Sequence, residues 1–177
     1  MSARRRSRIG AQVVREWARR LPQRGAVLDL GCGDGVPVTQ VLIESGLEVY
    51  GVDASAAMVA SFRNRCPGVH VEHAAVEDST LFCKSFNGVV AWGLVFLLRR
   101  EAQEHLIAKI AASLTRGGQF LFTSPRQACL WLDAMTGRES VSLGREEYQR
   151  LLQNVGLTLI EEQQDEGDNH YYLASKR

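Results

Sequence analysis

Between Val27 and Gly35 the chain reads Val-Leu-Asp-Leu-Gly-Cys-Gly-Asp-Gly, an apolar run that passes directly into glycines at alternate positions. Val27, Leu28 and Leu30 suit a strand covered on both faces. Gly31 and Gly33 let the backbone take positive φ and approach a ligand with no Cβ in the way. A helix that follows such a turn is expected to point its N-terminal amides at that ligand. Eighteen positions beyond Gly35, a second apolar run, Val49-Tyr50-Gly51-Val52, ends in Asp53. In a βαβ unit an acid at the tip of the second strand lies beside the first turn, where its carboxylate can accept both hydroxyls of a ribose. Strand, glycine turn, helix, strand and acid together predict a ribose-bearing ligand.

The spacing of the glycines separates two ligand classes. Dinucleotide sites use G-x-G-x-x-G, which leaves room for a pyrophosphate. Here Gly31-Cys32-Gly33-Asp34-Gly35 is G-x-G-x-G, Val36 stands where the dinucleotide glycine would be, and Asp34 would press a negative charge toward a pyrophosphate. The pattern resembles the class I S-adenosylmethionine-dependent methyltransferases, whose cofactor carries a sulfonium and an ammonium and no phosphate. That resemblance implies S-adenosylmethionine as cofactor, S-adenosylhomocysteine as product, and no metal. It assigns the methionine portion to Asp29, Gly31, Cys32 and Gly33, with Asp29 suited to the ammonium, and the ribose to Asp53. Ala54 and Met58 would border the adenine, although Met58 is as natural a core residue as a cofactor contact. After the third strand the family commonly has an acid that meets the adenine amino group. In Ala74-Ala75-Val76-Glu77-Asp78 it is Ala75 that takes the usual place, so Glu77 or Asp78 must supply the acceptor. The favoured pair is the Val76 backbone and the Glu77 side chain. Asn87 is a second departure, standing where an aspartate often precedes the fourth strand.

The run Val90-Ala91-Trp92-Gly93-Leu94-Val95-Phe96-Leu97 resembles the family's fourth strand and the loop after it, which faces both cofactor and acceptor. Trp92 is therefore a candidate on both sides, and Phe96 is a candidate for the acceptor pocket or the core. An in-line SN2 displacement on an activated methyl chiefly needs alignment, and a general base only where the acceptor arrives protonated. His170 leads the candidates for that base, since an imidazole titrates near neutrality. The stretch from Gln163 to His170 also holds Asp165, Glu166 and Asp168, which suit either a cationic acceptor or a solvated turn. Residues 125–143, with Arg126, Trp131 and Glu139, are expected to cover the acceptor, and Trp131 and Tyr148 complete its candidate contacts. The [DN]-P-P-[YF] motif of amino-methyltransferases acting on bases or glutamine is absent, and little chain is left for a recognition domain. These features favour a small-molecule acceptor with an N, O or S nucleophile. Methylation of RNA or protein, or cofactor binding without catalysis, are the alternatives.

Such residues must be placed by a sheet. Strands are expected near Ala26 to Leu30, Glu48 to Val52, Val69 to His73, Asn87 to Ala91, Gln119 to Thr123, Thr158 to Glu162 and His170 to Ala174. Helices are expected near Ile9 to Arg20, Val36 to Glu44, Ala56 to Cys66, Glu101 to Leu114 and Arg145 to Val155. Alternation of the two implies an α/β fold with a parallel sheet covered on both faces, and the short link between the last two strands makes them an antiparallel hairpin. Five parallel strands and a hairpin resemble the seven-stranded, Rossmann-like sheet of the same family over essentially the whole chain.

A chain of 177 residues suits a single domain, with residues 1–24 as a basic arm and opening helix. Lys and Arg number 21 against 20 Asp and Glu, a balance that offers no general attraction to nucleic acid or an anionic membrane. The run Arg4-Arg5-Arg6 has no interleaved aromatic residue for base stacking. The four cysteines form no C-x-x-C pair, His70 and His73 fall on opposite faces of a strand, and no apolar run reaches the length of a membrane span. The expected protein is cytoplasmic, with reduced thiols, and a monomer or homodimer.

Overall fold

The computed structural model describes residues 8–134 and 136–177. Apolar residues dominate β1 (Ala26–Leu30) and β2 (Glu48–Asp53), the mostly polar edge strand β3 (His70–His73) follows, and β4 (Phe86–Ala91) and β5 (Leu114–Thr123) return to the apolar centre of the sheet. They alternate with α1 (Ala11–Ala18), α2 (Val38–Glu44), α3 (Ala56–Arg65) and α4 (Arg100–Ser113), and the chain continues through β6 (Cys129–Leu132), β7 (Glu139–Ser142), α5 (Arg145–Asn154), β8 (Leu157–Gln164) and β9 (His170–Lys176). One seven-stranded sheet runs in the order β3-β2-β1-β4-β5-β9-β8. The first five strands are parallel, and β9 runs antiparallel to both β5 and β8. The expected α/β architecture with its terminal hairpin is present.

Period-two alternation divides β1 between two cores. Leu28 and Leu30 pack with Phe120, Phe122, Ile107 and Ile110 on the side of α4 and α5. Val27 packs with Val14, Trp17 and Leu42 on the side of α1 and α2. Helix α3 contributes Phe62 to a smaller cluster with Cys32 and Cys66.

Three expectations need correction. Helix α2 begins at Val38 rather than Val36, because the residue before a proline is pushed out of the helical region and Pro37 follows Val36 to take the N-cap. Helix α1 begins after Gly10, whose φ of 80° is not helical. The stretch expected only as an acceptor cover contains a second, two-stranded sheet, β6 paired with β7. The run Arg4-Arg5-Arg6 lies outside the described residues.

A buried polar network ties that hairpin to the body. Gln103 of α4 donates to Val141 O (2.9 Å) and Leu98 O (2.8 Å), and accepts from the Tyr148 hydroxyl (2.8 Å). The Tyr148 hydroxyl also meets Ser124 Oγ at 2.8 Å, and Ser142 Oγ donates to Pro125 O (2.7 Å). Tyr148 is therefore a core strut, fully buried against Phe122 and Tyr172, and not the acceptor contact expected of it.

Candidate functional site

Parallel register sets Leu30 opposite Val52, so the glycine turn leaves β1 beside the tip of β2. Gly31 N and Cys32 N both donate to Val52 O (2.8 and 3.1 Å), and Gly33 N donates to Asp53 Oδ2 (2.8 Å). Gly31 and Gly33 take φ of 70° and 55°, which non-glycine residues adopt rarely. A Cβ on Gly31 would press on the Leu94 side chain at 3.3 Å, whereas one on Gly33 would meet nothing within 4 Å. The other Asp53 oxygen accepts from Ser55 N (2.8 Å), and a carboxylate with one bond on each oxygen keeps a further lone pair on each. Asp53 thus joins the glycine turn to the start of α3 and can still accept two hydroxyls.

The glycine amides of the turn are all bonded within the protein. Gly35 N donates to Cys32 O (3.0 Å) and Val36 N to Asp34 Oδ1 (3.3 Å), and the helix beyond opens with a proline. The expected amides at the start of α2 are those of Val38 and Thr39, which lie beyond this internally bonded turn. Asp34 is turned aside as well: Arg65 holds its carboxylate at 2.8 Å and its carbonyl at 3.1 Å, so its charge is neutralised locally. What the turn offers a ligand is carboxylate oxygen and bare glycine backbone, a surface matched to cationic groups and mismatched to a pyrophosphate.

Asp29 lies beneath this turn, 1% exposed, and accepts from Thr39 Oγ1 at 2.6 Å. Burial raises its pKa to about 7, against the Thr39 hydrogen bond and with the Asp53 charge adding to the rise. Burial likewise pushes the Cys32 thiol up, and the neighbouring Asp29 and Asp53 add to it. Ala54 and Met58 are on the surface at the start of α3, and Met58 is 47% exposed, which rules out the core role. Val76 is buried in the loop after β3, where Lys109 Nζ donates to Val76 O, Glu77 O and Ser79 O at 2.9, 2.9 and 2.7 Å. One ammonium with three donors therefore clamps the segment that carries both expected adenine contacts.

A cavity of about 900 Å³ opens at the carboxyl end of β5, lined by Phe96, Ser124, Arg126, Trp131 and His170 among others. Phe96 and Trp131 stand together with ring centroids 5.4 Å apart. His170 Nε2 lies 3.1 Å from Glu162 Oε1. Glu162 also accepts from Arg145 Nε (2.7 Å), and Arg126 Nε stands 3.8 Å away. Burial would raise the pKa of Glu162, but the bonds from Arg145 and His170 outweigh it and hold the group below its usual range.

Trp92 stands apart from this cavity. Its Nε1 donates to the Tyr171 hydroxyl (2.6 Å), which donates to Asp165 Oδ2 (2.7 Å), and the chain packs near Gly10. Asp165 further accepts from Gly167 N and from Asn169, and these bonds lower its pKa despite burial. It shapes the β8–β9 turn and is not free to attract a cation. Thr39, Arg65, Lys109, Glu162 and Arg145 were not visible as site residues in the sequence: each is tied to the site only by a contact distant along the chain, and none stands in a local motif. Thr39, placed ten residues after Asp29, is the one that an αβ spacing argument could have reached.

A mostly parallel seven-stranded sheet with an antiparallel β9, a glycine turn after β1 and an acid after β2 define a Rossmann-like nucleoside-binding fold of the class I methyltransferase type. The chain belongs to the methyltransferase domain family, whose sequence profile matches residues 27–118. It is 30% identical over 117 residues to a tRNA U34 carboxymethyltransferase of Cellvibrio japonicus (strain Ueda107), covering 60% of this chain and 36% of that protein. The chain spans 36% and 47% of the lengths of two curated relatives it matches. Among solved structures it is similar to CalS10 with bound S-adenosylmethionine, an amino pentose methyltransferase from Micromonospora echinaspora, at 19% identity and a TM-score of 0.77 over 95% of this chain and 90% of that one. The glycopeptide N-methyltransferase MtfA is similar at 22% identity, with a TM-score of 0.76 over 95% and 96%. At these identities the two likenesses establish the fold.

Proposed function

We propose that this chain is an S-adenosylmethionine-dependent methyltransferase acting on an N, O or S nucleophile of a small molecule. The observation that carries the reading is the turn whose glycine amides are bonded internally while Asp53 keeps acceptor capacity beside it. The small-molecule acceptor is supported by likeness of fold to the amino pentose and glycopeptide enzymes over 95% of the chain.

Bound S-adenosylmethionine would supply a methyl group on a sulfonium, transferred in line as the carbon–sulfur bond breaks with its electron pair going to sulfur. In this reading Gly31, Cys32 and Gly33 carry the methionine portion, with Asp29 as its anion, and Asp53 accepts the ribose hydroxyls. Ala54, Met58, Val76 and Glu77 border the adenine. Trp92 closes the end of β4, while Phe96 and Trp131 hold the acceptor. His170 takes the acceptor's proton on Nδ1, the nitrogen not held by Glu162, where the nucleophile arrives protonated.

Calorimetric titration with S-adenosylmethionine, S-adenosylhomocysteine and NADH tests this directly. Micromolar binding of the two adenosyl ligands alone is the expected result. Binding of NADH alone, or of none, overturns it.

A further inference from the structure

We propose that the acceptor is a planar aromatic molecule carrying an anionic group, a carboxylate in the simplest case, with its ring on Phe96 and Trp131 and its charge on the Arg126 guanidinium. The inference rests on the methyltransferase reading of the same site and adds the chemistry of what fills the cavity.

The aromatic half follows from the cavity wall. Phe96 comes from the loop after β4 and Trp131 from β6, and their rings meet at an interplanar angle of 44° on one side of the opening. Two such faces, contributed by separate elements, offer a flat acceptor a stacking surface without fixing which heteroatoms it bears.

The anionic half follows from the charges around Glu162. Two guanidiniums, Arg126 and Arg145, and the His170 imidazole converge on that single carboxylate. Arg145 is committed to it through Nε and to Gln149 through Nη1. Arg126 stands off at 3.8 Å with 67% of its side chain exposed, and it lines the cavity. The cluster holds more positive charge than Glu162 neutralises, and the surplus sits on a residue whose planar fork suits a carboxylate. Asp133, Glu146 and Asp168 also line the cavity, so the anion is specified by the Arg126 fork and not by the net charge of the wall. Asp133 Oδ1 is bound by Thr136 N (2.7 Å) within the hairpin turn. Glu146 and Asp168 are exposed, as Arg126 is, and water and salt screen all three alike.

The test uses the full chain saturated with S-adenosylhomocysteine and three matched probes: 3-hydroxy-2-naphthoate, its carboxamide, and 2-naphthylmethylamine. Calorimetry should find the carboxylate bound about tenfold or more tighter than the amide, and the amine weakest. Arg126→Gln should remove the preference for the acid while leaving amide binding in place, Trp131→Ala should weaken both, and the remote Arg116→Gln should change neither. Equal binding of acid and amide, a preference for the amine, an acid preference that survives Arg126→Gln, or no acid binding at millimolar concentration each overturns the proposal. Titration of S-adenosylhomocysteine alone reports separately on the methyltransferase reading. If that fails, the acid-to-amide ratio measured on the ligand-free chain still decides the anion preference.

Discussion

Asp53 holds two backbone amides, and in the proposed reading it also accepts the ribose hydroxyls, so its substitution acts on both. Each oxygen already accepts a backbone amide, from Gly33 and from Ser55, so Asp53→Ala removes the ligand's acceptors and also frees two amides that shape the cradle. S-adenosylhomocysteine affinity should fall by about 1.5–3 kcal/mol, the usual cost of a lost charge-assisted hydrogen bond. Unchanged affinity in calorimetry would place the ribose elsewhere. Asp29 makes a different prediction because its partner is a hydroxyl rather than a cation. Its folded pKa of about 7 lies above the 3.8 of an unperturbed aspartate, so the ligand-free native state binds the extra proton. Stability from this group is complete below pH about 4 and is lost as pH rises through about 7. Asp29→Asn, which does not titrate, should therefore gain on the wild type across that window, reaching on the order of a few kcal/mol at pH 8. Urea unfolding of both proteins at pH 4.5, 6 and 8 measures it, and parallel curves would sink the argument. The same variant should bind S-adenosylmethionine more weakly, since a neutral amide cannot pair with an ammonium.

Elements place these residues, and they differ in how openly the sequence declares them. Strand β1 and its glycine turn are local events: four of five strand residues are apolar and the turn's φ values need glycine, so both are legible from a nine-residue stretch. The hairpin of β6 and β7 is not legible in this way. Glu139-Ser140-Val141-Ser142 carries almost no apolar signal, and its placement depends on Gln103 reaching Val141 across 38 positions and on Ser142 meeting Pro125. The same is true of the Lys109 clamp and the Glu162 cluster, which exist only once α4 and β8 are packed. Tyr148 was misread for a related reason. Its place on the apolar face of α5 is visible in the sequence, but the hydroxyl partners that make it a strut come from α4 and from the loops after β5 and β7. Tyr148→Phe should thus cost about 1–3 kcal/mol of stability, because Ser124 Oγ, Gln103 Oε1 and Leu143 N lose a buried partner together. Cofactor affinity should stay at the wild-type value. A normal unfolding midpoint with weakened acceptor binding would instead return Tyr148 to the cavity.

At the scale of the molecule, function and stability meet at the point where the strand order reverses. From β1 the chain goes outward to β2 and β3, and then returns to place β4 on the other side of β1. The two crossovers leave a crevice beyond the carboxyl ends of β1 and β4, the position at which doubly wound sheets take their ligands. The glycine turn, Asp53, Gly93 and Leu94 all stand there, while the cavity lined by Phe96 and Trp131 lies further along the same edge, over β5 and β9. A cofactor in the crevice would bridge β2, β1 and β4, strands that share one continuous sheet, so its binding energy should resist unfolding of the whole chain rather than of one loop. At a hundredfold excess over Kd, S-adenosylhomocysteine should add about 2.7 kcal/mol. For a chain of this size that corresponds to a rise in Tm of roughly 5–11 °C. Differential scanning calorimetry should show that rise as a shift of the main transition, with no comparable shift from NADH. A ligand effect confined to a minor early transition would mean that the cofactor orders only a peripheral segment, and a shift with NADH alone would mean that the turn accepts a pyrophosphate even though its glycine amides are bonded internally.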